Sequence, residues 1–200
     1  MGNRGRKPLP AAVETGDDAV SRLLDRAGDW IEPYWNVEHL RRTLAWLLVL
    51  DPEASEGARI AALTHDMERH FPGGPRIEPA TQAPDDVAYR CAHSERSARI
   101  VGDWLRGEGA SDALVAEVQR LILAHEIGGE TDEDVLQAAD SLSFLEVNPD
   151  LVVRWFREGR CTRERSREQL EYMFDRIRIA RARELAGPLR TEALAVVDRA

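Results

Sequence analysis

Lysine is almost missing from this chain: Lys7 is the only one, and the other 26 basic residues are all Arg. Arginine presents a planar fork of donors that fits carboxylate and phosphate oxygens. Where nearly every base is Arg, no single Arg stands out by its identity. Cysteine is scarce too. Cys91 and Cys161 offer neither a metal-finger spacing nor a disulfide framework, which points to a reducing compartment. Long apolar runs are absent, and the best of them, residues 45–50, falls far short of the ~20 residues needed to cross a bilayer. Residues 1–10 carry charge with no apolar stretch behind it, so no export signal is expected. These absences predict a cytoplasmic protein with no membrane partner. Alternating segments rich in Val, Ile, Thr and aromatics are missing as well, and no repeat recurs at about 20–50 residues.

What is present is enough apolar material, 43% of 200 residues, to bury a sizeable single core. The 36 acids exceed the 27 bases and give a net charge of −9. That balance repels phosphate backbones, so a nucleic acid polymer is not an expected partner.

Apolar residues at helical spacing divide the chain into about eight helices. Val20, Leu23, Leu24, Ala27 and Ile31 mark the first, and Pro33 ends it. Residues 1–17 mix Gly, Pro and charge and are expected to form a flexible leader. Asn36 is placed to cap a second helix that stops at Asp51-Pro52, and Ser55 to cap a third reaching about His70. Residues 71–84 contain four Pro and two Gly, which predicts a loop long enough to act as a lid. Helices follow over residues 85–106, and from Ser111 to Gly128-Gly129. Thr131 with Asp134 resembles a capping box for the next. Asn148-Pro149 opens another, residues 162–186 read as one long amphipathic helix, and residues 191–199 as a short tail helix. The expected fold is all-α: a single-domain helical bundle over residues 18–200.

The chain has only five histidines. His39, His65, His93 and His125 fall on four different predicted helices, and Asp66 follows His65 directly. Asp140 lies in the apolar stretch of residues 136–142, where a charge requires a partner. Imidazole and carboxylate groups brought together from facing helices suit iron, manganese, zinc, cobalt or nickel. Each residue also has a plainer structural role. His65-Asp66 could be a buried, hydrogen-bonded pair, His39 and Asp140 polar groups at the core edge, and His93 and His125 groups for substrate binding or proton transfer. His70, five residues after His65, turns about 140° away on a continuous helix and is expected at the surface.

The order His39, His65-Asp66, His93, His125, Asp140 resembles the HD-domain superfamily of metal-dependent phosphohydrolases, with residues 61–69, Ala-Ala-Leu-Thr-His-Asp-Met-Glu-Arg, similar to its core motif. The likeness covers residues 36–146. It implies that His39, His65, Asp66 and Asp140 hold a first metal, and that His93 and His125, with Asp66 as a bridge, hold a second. His65 and Asp66 then stand at the catalytic centre. The resemblance implies two ions per chain, iron first among the candidates, and hydrolysis of a small phosphate ester or nucleotide. Arg69 matches the superfamily's basic position. Arg96 and Arg90, three residues either side of His93, share its helical face and are candidate anion clamps. Some members of this superfamily are diiron oxygenases that cleave C–C or C–P bonds, which makes that chemistry the alternative. A non-catalytic module that senses a metal or ligand is the third reading. Glu95 and Glu126 are candidates for supporting the site or for plain solvated acids. Trp46, Trp104 and Trp155 are expected to pack in the core.

Overall fold

The computed structural model describes residues 16–200, with side chains from Arg22 onward. The leader expected over residues 1–17 lies outside the described residues, apart from Gly16 and Asp17, which open the first helix. Secondary structure among the described residues is entirely helical. The helices are α1 (Gly16–Ile31), α2 (Val37–Leu50), α3 (Glu56–Thr64), α4 (Val87–Gly107), α5 (Asp112–Ala124), α6 (Thr131–Val147), α7 (Pro149–Arg157), α8 (Arg163–Asp175) and α9 (Ala180–Arg199), with a 3-10 turn at Met67–His70 after α3.

Helix α6 is the axis of the fold. Every residue from Leu136 to Ser143 is buried, so this helix has no solvent face in its middle and any polar group there must be satisfied from within. Leu136 and Ala139 join a core built mainly from α1–α5. Ala138, Leu142 and Leu145 join a second core with α7–α9. Small residues on α3, with Ala58, Ala61 and Ala62 all buried, let that helix lie close to α2, α5 and α6. Trp30 stacks on Trp104 at 4.6 Å between ring centroids and pins α1 to α4. Trp46, like Trp30 and Trp104, is partly buried against the core, and its Nε1 donates to Glu146 Oε2 at 2.7 Å.

Several boundaries differ from the sequence expectation for identifiable reasons. The third helix stops at Thr64, not near His70, because His65 becomes its C-cap and the chain tightens into the 3-10 turn. Ser55 and Ser111 cap as expected, accepting from Ala58 N and Leu114 N, whereas Asn36 makes no side-chain cap bond. The capping box of α6 sits one residue earlier than Thr131–Asp134. Glu130 is the N-cap, and its backbone N–H donates to Glu133 Oε2 at 2.8 Å.

The largest difference is in residues 162–199. The long helix and short tail helix expected there are instead α8 and α9, divided at residues 176–179. Arg176 turns inward, and its carbonyl accepts from Gln137 Nε2 at 2.8 Å, so the helical ladder is broken by bonds to α6. Helix α9 then runs on through Pro188. The bond lost at that proline is offset by the buried stripe Ala182, Ala186, Ala193 and Val197.

Candidate metal centre

Four histidines reach one buried volume from four directions. His65 and His125 are the C-cap residues of α3 and α5. Two helix C-termini, the negative ends of their dipoles, therefore meet at the site, a field that favours a cation. His39 comes from α2 and His93 from α4, and all four are at most 2% exposed. Their rings form a chain, with centroids 5.4 Å apart for His39–His65, 5.0 Å for His65–His125 and 5.3 Å for His93–His125.

Each ring is anchored through Nδ1. His65 Nδ1 bonds the Ala62 carbonyl at 3.0 Å, and His125 Nδ1 the Ile122 carbonyl at 2.6 Å. His93 Nδ1 bonds Glu68 Oε1 at 2.8 Å, and His39 Nδ1 bonds Ser143 Oγ at 2.9 Å. Carbonyl and carboxylate oxygens only accept, and the Ser143 hydroxyl is already donated to the His39 carbonyl at 2.8 Å. Each neutral ring therefore carries its proton on Nδ1 and turns the Nε2 lone pair inward. This arrangement of outer partners is the one that orients metal-binding imidazoles.

Carboxylates meet these lone pairs. Asp140 Oδ1 lies 3.1 Å from His39 Nε2 and 3.5 Å from His65 Nε2, and Asp66 Oδ1 lies 2.9 Å from His93 Nε2. A lone pair and a carboxylate oxygen at such distances repel unless a proton or metal ion sits between them. His65 Nε2, fully buried, has no hydrogen-bond partner. Three overlapping groups can hold an ion: His39, His65 and Asp140; His65, Asp66 and His125; and His93, His125 and Glu126. The donor set thus fits a metal, with the six residues singled out in the sequence all present.

The electrostatics agree. Burial alone would raise the Asp140 carboxyl, yet Arg176 beside it, with His39 close by, holds it well below the usual carboxylate range. Burial opposes ionisation of Asp66 in the same way, and Arg69 with His93 outweighs it. His65, which burial would depress, is raised by Asp140 and Asp66, and His93 is raised by Asp66 and Glu68 against burial and Arg69. Burial pushes His125 down to about 4.

Sequence reasoning overlooked several participants. Arg176 bonds Asp140 Oδ2 and, at 2.6 Å, Glu126 Oε2, with its Nε on Ser141 Oγ at 2.8 Å. It lies in an arginine-rich stretch where nothing local marks it. Glu126, left open by the sequence, is drawn into the site by that bond. Glu68 and Ser143 each follow a candidate ligand by three residues, Ser143 on the same turn of α6, and spacing was the signal available for them. Tyr34 Oη donates to Asp66 Oδ2 at 3.4 Å.

A cavity of about 400 Å³ opens over the cluster, with His39, Asp66, Glu126 and Asp140 on its floor. Arg69, Arg90 and Arg176 are in its wall, Trp155, Tyr172 and Met173 face it from α7 and α8, and Ile77 and Gln82 border it from the loop expected to be a lid. Arg90 bonds the Tyr172 hydroxyl and the Asp85 carbonyl. Arg96 is a correction. It faces away from this cavity and ties down the turn after the His-Asp pair, bonding Glu68 Oε2 at 2.8 Å and the Pro72 carbonyl at 2.7 Å. Three residues along α4 from His93 put it beside that ring's outer nitrogen instead of its inner one. His70 and Glu95 are exposed.

A family model described as a domain of unknown function, DUF4202, matches residues 28–195. The chain belongs to that family. Its matched span contains every residue of the cluster together with Arg69, Arg90, Arg96 and Arg176. No curated protein and no solved structure matches the chain. No helix among the described residues is long and apolar enough to cross a membrane.

Proposed function

We propose that this DUF4202 chain is a metal-dependent phosphohydrolase of the HD type, acting on a small phosphate ester or nucleotide at a dinuclear centre. His39, His65, Asp66 and Asp140 would hold the first ion, and His93 and His125, with Asp66 shared, the second. Metal ions held in this way supply an activated water at neutral pH and offset charge on a phosphoryl group.

The observation that carries the reading is the shared cavity: His39, Asp66, Glu126 and Asp140, the face of the cluster that reaches it, form its floor, and guanidinium groups form its wall. Arg90, held in place by Tyr172 and a backbone carbonyl and with no carboxylate bound to it among the described residues, keeps its charge available to an anion. Arg69 adds a second planar donor beside Asp66. Tyr34 stays protonated, because burial and the neighbouring Asp66 raise its pKa well above the ordinary tyrosine value. It therefore remains a donor that orients the Asp66 carboxylate. Trp155 and Met173 give the cavity an apolar lining on the α7–α8 side.

The experiment is phosphate release from a panel of nucleoside monophosphates and sugar phosphates by protein loaded in turn with iron(II), manganese, cobalt, nickel and zinc. Metal-dependent release that disappears in Asp66→Ala is expected. Absence of release with every metal and every ester overturns the proposal.

A further inference from the structure

The two metal positions are not equivalent. At the first, the inward atoms of His39, His65 and Asp140 face one another with no guanidinium between them, since Arg176 holds Asp140 from outside through Oδ2. At the second, a guanidinium is already inside. Arg69 Nη2 lies 3.4 Å from His93 Nε2, and its Nε lies 3.0 Å from Asp66 Oδ1, the oxygen that also faces His93. Those are two of the three atoms that a second ion would need, His125 supplying the other. Arg69 is kept there by the Tyr89 hydroxyl, which accepts from Nη1 at 2.5 Å, and its guanidinium lies over the Tyr89 ring at 5.8 Å. The contact of Nε with Asp66 has the distance of an ion pair but not the alignment of a hydrogen bond, so that buried N–H is unsatisfied. The fold thus holds Arg69 where an ion would sit without fully pairing it.

The charges point the same way. The cluster contains four carboxylates, Asp66, Glu68, Glu126 and Asp140, against three guanidiniums, Arg69, Arg96 and Arg176, paired as Asp66–Arg69, Glu68–Arg96 and Arg176 with both Glu126 and Asp140. With neutral rings, one negative charge is left. One divalent ion reverses that balance, and a second adds two positive charges in a buried space where like charges interact strongly.

We infer that Arg69 is the resident cation of the second metal position: with its guanidinium in place the cluster takes one ion tightly, and a second ion binds well only once Arg69 is displaced. This rests on the metal reading above and adds an order to its two sites.

The test is to titrate chelator-treated protein with manganese(II), counting bound ions by calorimetry and free ions by electron paramagnetic resonance. Wild type is expected to take one ion per chain at least tenfold more tightly than any second. Arg69→Gln is expected to take two of comparable affinity, and Arg69→Lys, which keeps the charge, to behave as wild type. Tyr89→Phe, a milder change that frees the guanidinium, is expected to strengthen the second site and covers the case in which Arg69→Gln does not fold. Two equal ions in wild type, or a single ion in both a folded Arg69→Gln and Tyr89→Phe, overturns the role of Arg69 and leaves the metal reading standing. No bound ion in any of these proteins overturns the metal reading itself, whatever Arg69 does.

Discussion

Ser143 is bound to His39 twice: its hydroxyl donates to the His39 carbonyl at 2.8 Å, and its oxygen accepts from Nδ1 at 2.9 Å. The first bond orients the hydroxyl, and the second fixes the ring. Removing the hydroxyl should leave the helices intact but free the imidazole to rotate. Ser143→Ala is expected to weaken metal binding about 10- to 100-fold, the usual cost of losing an outer-shell partner, as measured by competition with a chromogenic chelator.

His65→Ala and Asp66→Ala should each empty the first site. Elemental analysis of the purified variants should show metal content near zero, and wild-type content in both would refute the ligand assignment. His70 is exposed at the end of the 3-10 turn, and His70→Ala should keep its metal.

Arg176 is the only guanidinium paired with Asp140 or with Glu126 among the described residues, and its side chain is 6% exposed. Arg176→Met would leave two buried carboxylates without a counter-charge. A loss of about 3–5 kcal/mol is expected for an ion pair broken in this way. Urea unfolding of the metal-free protein measures it, and a change within error of zero would mean the network is not as buried as it stands here.

The pH dependence follows from opposite shifts. His65 and His93 are raised above 6.5 in the fold, so their contribution to metal-free stability is present below pH 6.5 and is lost as pH rises through the raised values. Metal needs these rings deprotonated, so the rise in melting temperature caused by metal should grow as pH rises above about 6.5. His125, pushed down to about 4, is already neutral in that window. Its effect appears on the acid side, where stability falls as pH drops from 6.5 towards 4. Melting curves with and without manganese across this range test both limbs, and a metal effect that shrinks above pH 6.5 would contradict the assignment.

Much of this site can be read from the chain because its parts are local. A His-Asp pair after a run of small residues, and an aspartate within an apolar helix, announce themselves in a short window. Capping by Ser55 and Ser111 is equally local. What could not be read depends on contacts distant in sequence. Residues 162–186 have unbroken helical periodicity, and only the pull of Asp140 and Glu126 on Arg176 shows why the helix stops there. Arg96 had the right spacing for an anion clamp, but its direction is decided by Glu68, whose own role depends on the 3-10 turn. Pro188 looks like a terminator until the alanine face of α9 is seen packed on its neighbours.

The ligands come from widely separated parts of the chain, and this gives any bound ion a second effect. An ion shared by His39 and Asp140 closes a loop of about a hundred residues, and loops of that size carry the largest entropic gain from a cross-link. Such an ion acts on the unfolded ensemble much as a disulfide does, in a protein whose two cysteines are both free. A chelator would then act as a reductant does on a secreted protein, removing the staple and the reactive centre together.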